Sequence, residues 1–213
     1  MFGCQIRRKF TFDRKHYNYP DLPHGYQITQ HREPYAYNGA VQVNDTLKVP
    51  IEKIQIEMDT GKSLYEANII DMNRAGVGLL EIVTPPSLRS SLDSVAFAKK
   101  IHESLKCAKV CGGNLESGQF RIDVNVSVTG PRAPPQAEPL GQRVEIKNLN
   151  SFTALSQAIE HEARRQIGIL EGGTKALIAF ETRGFDPVVK ETFPLRGKET
   201  KFNYRFIRDH EIP

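Results

Sequence analysis

Long apolar runs, paired cysteines and a dominant charge sign are all missing from this 213-residue chain, and each absence removes a class of protein. No stretch approaches the roughly 20 apolar residues a membrane helix needs, so the chain is not expected to span a bilayer. The N-terminal MFGCQIRRKFTF has basic residues but no apolar core, so it does not read as a secretory signal. Cysteine is limited to Cys4, Cys107 and Cys111. An odd, scattered set excludes a disulfide framework and points to reduced thiols, with Cys107 and Cys111 expected to be buried at a helix end. A composition of 39% hydrophobic and 25% charged residues excludes collagen, full-length disorder and coiled coil. At this length a real core can close, burying about 70% of the surface that the unfolded chain exposes.

Familiar catalytic signatures are missing too. Gly61-Lys62-Ser63 resembles the end of a phosphate loop, but the glycine needed five residues earlier is Ile56. Asp59-Thr60-Gly61 has no second copy, so two aspartates cannot share a proton as an aspartic protease requires. Neither Gly-x-Ser-x-Gly nor His-Glu-x-x-His occurs. His102 and His161 fall in helical patterns, where packed or solvated imidazoles are expected.

What is present is organised by period. Residues 4–12 alternate, with Cys4, Ile6, Phe10 and Phe12 in one phase, and read as a strand. KHYNYPDLPHG, from Lys15 to Gly25, reads as an ordered loop. Tyr26–Tyr37 and Val41–Leu47 read as strands joined at Asn38-Gly39. Further strands are expected over Lys53–Asp59, Asn68–Met72 and Leu79–Val83. Ser90, three residues before Asp93, starts a helix with Leu92, Val95, Ala98, Ile101 and Leu105 inside, ending near Gly112-Gly113. Gln119–Thr129 alternates without a break, and Val144 and Ile146 alternate with Arg143, Glu145 and Lys147. A second helix is expected from Ser151 to Glu171, with Phe152, Leu155, Ile159, Ala163, Ile167 and Leu170 inside and Gly172-Gly173 as its stop. Two last strands, Ala176–Thr182 and Val189–Leu195, precede a polar tail. The order predicts an α+β fold: one antiparallel or mixed sheet with both helices on one face, in a single domain over 1–213 with a proline-rich loop or insertion at 130–140.

The open face of such a sheet carries the chemistry. Glu57, Asp123 and Glu145 lie on it, each flanked at roughly 7 Å along its strand by polar partners: Gln55 and Asp59, Arg121 and Asn125, Arg143 and Lys147. Alternating carboxylates and cations suit magnesium and a polyphosphate, since magnesium takes one or two carboxylates and completes its shell with phosphate oxygens and water. Cross-strand ion pairs on a solvated face give the same pattern. Arg7, Arg8, Lys9, Arg14 and Lys15, opposed only by Asp13, and the pair Arg164-Arg165 suit phosphate or nucleic acid, or a solvated basic face.

Six runs then carry a resemblance: FDRKHYNYPDLPHGYQITQ, IQIEMDTGKS, DMNRAGVGLLEIVTPP, GQFRIDVNVSV, RVEIKNLNSF and ETRGFD. In order and spacing, over nearly the whole chain, they resemble the GatB/GatE family of aspartyl/glutamyl-tRNA amidotransferase subunits. The resemblance implies a glutamine-synthetase-like cradle that binds ATP and Mg2+. There the side chain of glutamate misattached to the glutamine tRNA, or aspartate on the asparagine tRNA, is phosphorylated by ATP and then amidated by ammonia. It implies a heterotrimer with an amidase (glutaminase) subunit that supplies the ammonia and a small accessory subunit, with misacylated tRNA as substrate and no membrane partner. On that resemblance Glu57, Asp123 and Glu145 hold magnesium around the acyl-phosphate site, and Lys15 steadies a phosphate or the substrate carboxylate. Arg121, Asn125, Lys147, Asn148, Asn150 and Arg183 make further contacts, Asn148 and Asn150 alternatively capping the second helix, while Tyr17, Tyr19 and Asp21 line the pocket or the ammonia exit.

The chain departs from the family pattern at Met58 and at Phe202-Asn203-Tyr204-Arg205. It is expected to begin after the family's metal-binding Gly-Leu-Glu-x-His strand and cysteine-rich zinc segment, and to end before the tRNA-gripping helical domain. A noncatalytic remnant that docks the amidase partner or the tRNA acceptor end is the competing function. The motif variants resemble mitochondrial members, so a matrix location is expected, with a bacterial or other soluble compartment as the alternative.

Overall fold

Two serines start the two helices at the positions their spacing predicts. In the computed structural model, which describes residues 2–64, 69–129, 141–172, 178–195 and 204–212, α1 spans Ser91–Cys107 and α2 Phe152–Glu171. Ser90 Oγ accepts the Asp93 N–H at 3.0 Å and Ser151 Oγ the Ala154 N–H at 3.0 Å. Each cap satisfies a donor that the first helical turn would otherwise leave open. Chain contacts group the protein into two compact units, residues 1–87 with 201–213 and residues 88–200.

The second unit is built on β9 Ile122–Val126, β10 Val144–Leu149, β11 Thr182–Asp186 and β12 Glu191–Pro194, in the order β12-β11-β10-β9. β10 and β11 run parallel, because α2 forms the crossover between them, and the other pairs are antiparallel. Both helices serve one face. Val126, Ile146, Leu149 and Phe185 pack there against Ala98, Ala154, Leu155 and Ala158, with Ile122 and Val124 at the margin. The alternation in Gln119–Thr129 therefore points its charged phase away from the helices. The buried side of α2 is rotated from the expected one: Glu162 and Gln166 are buried, while Ile167 and Leu170 are 42% and 37% exposed. Strands β9, β11 and β12 supply polar partners for those two side chains. Helix α1 ends earlier than expected, and its Leu92 is exposed. Cys107 is exposed and Cys111 half-buried, so the helix-end cysteines are not core; among the described residues all three cysteines are free thiols. Loop 130–140 and Gly173 lie outside the described residues.

In the first unit, β1 Gln5–Ile6, β4 Ala36–Gln42, β5 Lys48–Met58 and β8 Gly78–Val83 form an antiparallel sheet in the order β1-β4-β5-β8. Asn38-Gly39 is not the turn. Both residues lie inside β4 with the register unbroken, Tyr37 opposite Lys53 and Gly39 opposite Ile51. The chain reverses at residues 43–47, where Val43 N–H donates to Leu47 O at 2.9 Å and Asn44 Oδ1 accepts the N–H of Thr46 and Leu47. Gly39 instead admits the N-terminal segment: Ala40 N–H donates to Phe2 O at 2.9 Å, and a Cβ on Gly39 would lie 2.7 Å from that same carbonyl. Gly39→Ala is expected to cost about 1–3 kcal/mol by overpacking, read as a lower urea midpoint.

A second sheet in this unit, β13-β2-β3, joins Arg205–Arg208, Asp13–His16 and Tyr26–Thr29. It corrects three expectations. The strand expected over 4–12 is confined to β1, the loop expected from Lys15 starts after His16, and the polar tail forms a strand. Cross-chain contacts decide the last of these: Arg14 Nε lies 2.6 Å from Asp209 Oδ2, and the Phe206 ring stacks on His31 at 4.0 Å. Buried Asp13 accepts the N–H groups of His31 and Arg32 at 3.0 and 3.1 Å and pairs with the Arg32 guanidinium. β6 Lys62–Leu64 and β7 Ile69–Asp71 form a short separate ladder. The fold class is α+β as expected, with the strands divided among four sheets among the described residues. No helix among those residues is long and apolar enough to cross a membrane.

Candidate functional site

In the second unit the helix-free face of β9 and β10 gathers four of the expected residues. Antiparallel register sets Glu145 opposite Asn125, and Lys147 meets Asp123 just beyond the last regular pair, Ile146 and Val124. The Lys147 ammonium lies 3.3 Å from Asp123 Oδ2 and 3.5 Å from Glu145 Oε1. All three side chains keep contact with solvent, between 30% and 50% exposed, so the row is open to a ligand. Thr182, opposite Glu145 in the parallel ladder, donates its hydroxyl to Glu145 Oε2 at 3.1 Å. That bond fixes one carboxylate oxygen and turns the other toward Lys147. Arg121 is exposed in the same outward phase, just before β9.

Asn148 takes φ 62° at the irregularity between Ile146 and Leu149, a backbone conformation that asparagine tolerates better than most residues. Ser151 caps α2, so neither Asn148 nor Asn150 has that task. Asn150 instead lines a cleft of about 500 Å3 with His102, Lys106, Gly113, Asn114 and Glu116.

Arg183 lies apart from that row. Strand alternation sends Thr182 to the open face and Arg183 to the helix face, where it is 8% exposed. Its guanidinium donates to Thr192 Oγ1 at 3.0 Å, Thr192 O at 2.6 Å and Glu181 Oε1 at 3.0 Å, and lies 3.5 Å from buried Glu162. Burial would raise the Glu162 pKa, but hydrogen bonds from Arg165, Gln166 and Thr192, with the charge of Arg165, hold it below the ordinary glutamate value.

In the first unit Glu57 sits on the polar end of β5. Thr29 Oγ1 donates to its Oε1 at 2.6 Å and Gln55 Nε2 to the same oxygen at 2.8 Å. Gln55, only 6% exposed, also donates to Glu81, its direct cross-strand neighbour on β8. Asp59 lies past the end of β5, its Oδ1 accepting the Thr60 N–H at 2.9 Å and its Oδ2 3.9 Å from Arg74. Lys15 lies on β2, its ammonium 4.3 Å from the Tyr204 ring centroid and 5.6 Å from that of Tyr17. Tyr17 and Tyr19 meet edge to face at 5.5 Å. Asp21 borders a small cavity of about 90 Å3 with Leu22, His24 and Asp59.

Sequence reasoning misses Thr29, Glu81 and Thr182. Glu81 alternates with Leu80 and Ile82, which is a readable signal; its pairing with Gln55 depends on register, which no local pattern carries. Among the described residues no group of three or more His, Cys, Asp or Glu side chains gathers. Each cluster therefore offers carboxylates in ones and twos, together with amide, hydroxyl and ammonium groups.

The family model for the GatB/GatE catalytic domain matches residues 1–213. The chain is 45% identical over 98% of its length to the GatB subunit of the aspartyl/glutamyl-tRNA(Asn/Gln) amidotransferase of Methylocella silvestris, covering 42% of that protein. It is 46% identical over 98% of its length to the same subunit of Caulobacter vibrioides, covering 44%. In Rhodopseudomonas palustris the identity is 45% over 99% of this chain and 43% of the relative. The chain thus spans less than half the length of these bacterial relatives, and the match falls on the segment that holds both clusters. By this match over its whole length, the chain belongs to the GatB/GatE catalytic-domain family.

Proposed function

We propose that this chain is the catalytic segment of an ATP-dependent tRNA amidotransferase. It would convert glutamate on the glutamine tRNA, or aspartate on the asparagine tRNA, to the amide. The observation that carries this reading is the open Asp123–Lys147–Glu145 row, in a chain whose relatives are named for that reaction. A carboxylate is a poor electrophile and its hydroxide a poor leaving group, so the substrate side chain must be activated first. One carboxylate oxygen attacks the γ-phosphorus of ATP and ADP departs. Ammonia then attacks the acyl carbon, and phosphate leaves with the oxygen that made the first attack.

The donor sets suit magnesium. They consist of hard carboxylate, hydroxyl and amide oxygens, and Gln55 Oε1 is buried without a hydrogen-bond partner. Glu57 in the first unit, and the Asp123 and Glu145 pair in the second, would each hold an ion. Bound magnesium supplies neutralisation of phosphate charge. Lys147, Arg121, Asn125 and Asn148 bind and orient phosphate oxygens. Lys15, its ammonium against the Tyr204 and Tyr17 rings, steadies an anionic oxygen of the substrate. Arg183 acts from the helix face, holding β11 so that Thr182 meets Glu145. An amidase subunit supplies ammonia, a small accessory subunit completes the trimer, and the misacylated tRNA is the substrate.

The test follows the oxygen. In the assembled amidotransferase, a substrate whose side-chain carboxylate carries a heavy oxygen isotope should pass one labelled oxygen per turnover to inorganic phosphate. Amide formation with unlabelled phosphate would overturn the acyl-phosphate route.

A further inference from the structure

Helix α2 brings His161, half-buried, against β12, the edge strand of the sheet in the second unit. The Thr192 N–H donates to His161 Nδ1 at 3.1 Å, and the Thr192 hydroxyl oxygen lies 3.1 Å from the same nitrogen. A backbone N–H can only donate. Nδ1 is therefore the acceptor, and the proton of the neutral imidazole sits on Nε2.

Thr192, 5% exposed, joins this imidazole to the buried charges beside it. Its hydroxyl donates to Glu162 Oε2 at 3.0 Å and accepts Arg183 Nε at 3.0 Å, and its carbonyl accepts the same guanidinium at 2.6 Å. With the one hydroxyl proton given to a carboxylate, Thr192 reaches His161 as a donor only through its N–H. Glu162 and Glu181 are matched by Arg165 and Arg183. Also within a turn on α2 are Glu160 and Arg164, which donates from Nε to Glu160 O, and β12 adds exposed Glu191 next to Thr192. Strands β9 and β10 pack on α2 through apolar Val126, Ile146 and Leu149, and α1 meets it where Ser91 Oγ donates to Glu160. A second proton on the imidazole leaves the matched set of two acids and two bases with one positive charge in excess. It also sets an Nδ1–H against the Thr192 N–H, and two donors cannot share a bond. The imidazolium must turn to the Thr192 hydroxyl oxygen, and the Thr192 N–H loses its acceptor.

Resting on the amidotransferase function, we propose that His161 is a positioning residue: its neutral imidazole keeps the Asp123–Lys147–Glu145 row in order, and its protonation slows amidation. Thr192 fixes the Arg183 guanidinium by two bonds, and Arg183 follows Thr182 on β11. Thr182 in turn donates its hydroxyl to Glu145 Oε2 at 3.1 Å. An edge strand released from His161 loosens Arg183, then β11, then the carboxylate that faces Lys147. Imidazole is the side chain that ordinarily changes charge between about pH 5 and 8, so the device acts near neutrality.

Asparagine separates position from titration, because its Oδ1 replaces Nδ1 as the acceptor and the amide does not ionise. In the assembled amidotransferase, kcat of the unmutated protein is compared with that of His161→Asn at each pH, so that protonation of ammonia and substrate cancels. The ratio should be near one at about pH 8 and fall about fivefold towards pH 5.5, the weight of one net hydrogen bond, with KM for ATP unchanged. His161→Leu, which has no acceptor, should be slow at every pH. The unmutated protein gives a readout that needs no variant to fold. Nitrogen-15 resonances should place the His161 proton on Nε2 at high pH, and the protection of the Thr192 amide against hydrogen exchange should drop as His161 becomes charged. A ratio that does not change with pH, a His161→Leu variant as fast as the unmutated protein, or a proton on Nδ1 overturns the proposal. Thr192 protection that follows the His161 charge in an assembly that forms no amide sinks the amidotransferase function alone; amidation with a pH profile indifferent to His161→Asn sinks the positioning role alone.

Discussion

Asp123→Asn in the assembled amidotransferase is expected to lower ATP-dependent amidation by on the order of a hundred- to a thousandfold, the scale seen when one charge-stabilising group is removed from a transition state. Glu145→Gln should do the same. Both replacements keep shape and remove charge. Asp123 is half exposed and meets Lys147 across the open face, so its loss should move stability within about 0.5 kcal/mol. Glu145 keeps an oxygen for the Thr182 hydroxyl and is 30% exposed, so β10 and β11 should stay paired. What changes is the charge on either side of Lys147, and with it the capacity to hold magnesium and order phosphate oxygens. Glutamine hydrolysis by the amidase partner should continue at its normal rate, because that reaction uses another subunit's residues. Amidation unchanged in either variant would remove the row from the active site. A loss of glutaminase in parallel would show that the assembly, not the chemistry, had been damaged.

How far the sequence can be read depends on the range of the interactions involved. The alternation around Asp123 and the Ser90 and Ser151 caps are local, and the structure follows them, although only Ile122–Val126 of the eleven alternating residues form the strand. Helix-free exposure of Asp123, Asn125, Glu145 and Lys147 follows from period two alone once one face of β9 and β10 is apolar. Asn38-Gly39 misleads because the same dipeptide serves a hairpin turn and a close backbone approach. Only the segment from Phe2 to Cys4, lying over Gly39, distinguishes the two. β13 is invisible locally because its reason lies about 190 residues away in β2, where Arg14 meets Asp209. Arg183 is singled out by its motif, while its place on the helix face follows from the one-residue step from Thr182, which reverses side-chain direction in any strand. The buried polar side of α2 has the same cause: Glu162 and Gln166 look like surface residues until β9, β11 and β12 present their partners.

Those partners make Glu162 the position with the largest expected effect on stability. Its fully buried carboxylate accepts two bonds from Arg165, at 2.9 and 2.7 Å, one from Gln166 at 2.8 Å and one from Thr192 at 3.0 Å. Arg165 and Arg183 both reach Glu181, at 3.1 and 3.0 Å, closing a ring of two acids and two bases. Glu162→Gln leaves two guanidinium groups facing one carboxylate in a site largely closed to water. Breaking such a set by removing one partner costs about 3–5 kcal/mol, a large share of the 5–15 kcal/mol that holds a domain together. Chemical denaturation should show that loss, and pH should show its origin. The Glu162 pKa is lower in the folded chain than in the unfolded one, so its contribution is complete above the ordinary glutamate value of about 4.3 and is lost as pH falls through the folded value. Wild-type stability should therefore fall along that acid limb, and Glu162→Gln should flatten it; equal slopes in the two proteins would show that Glu162 is not the group responsible. The same ring reaches the candidate site through the backbone. Glu181 O accepts the Glu145 N–H at 3.1 Å, and Thr182, between the ring residues Glu181 and Arg183, orients the Glu145 carboxylate. A variant that loosens the ring should thus weaken amidation at temperatures where the chain is still folded, and Thr182→Ser, which keeps the hydroxyl, should not.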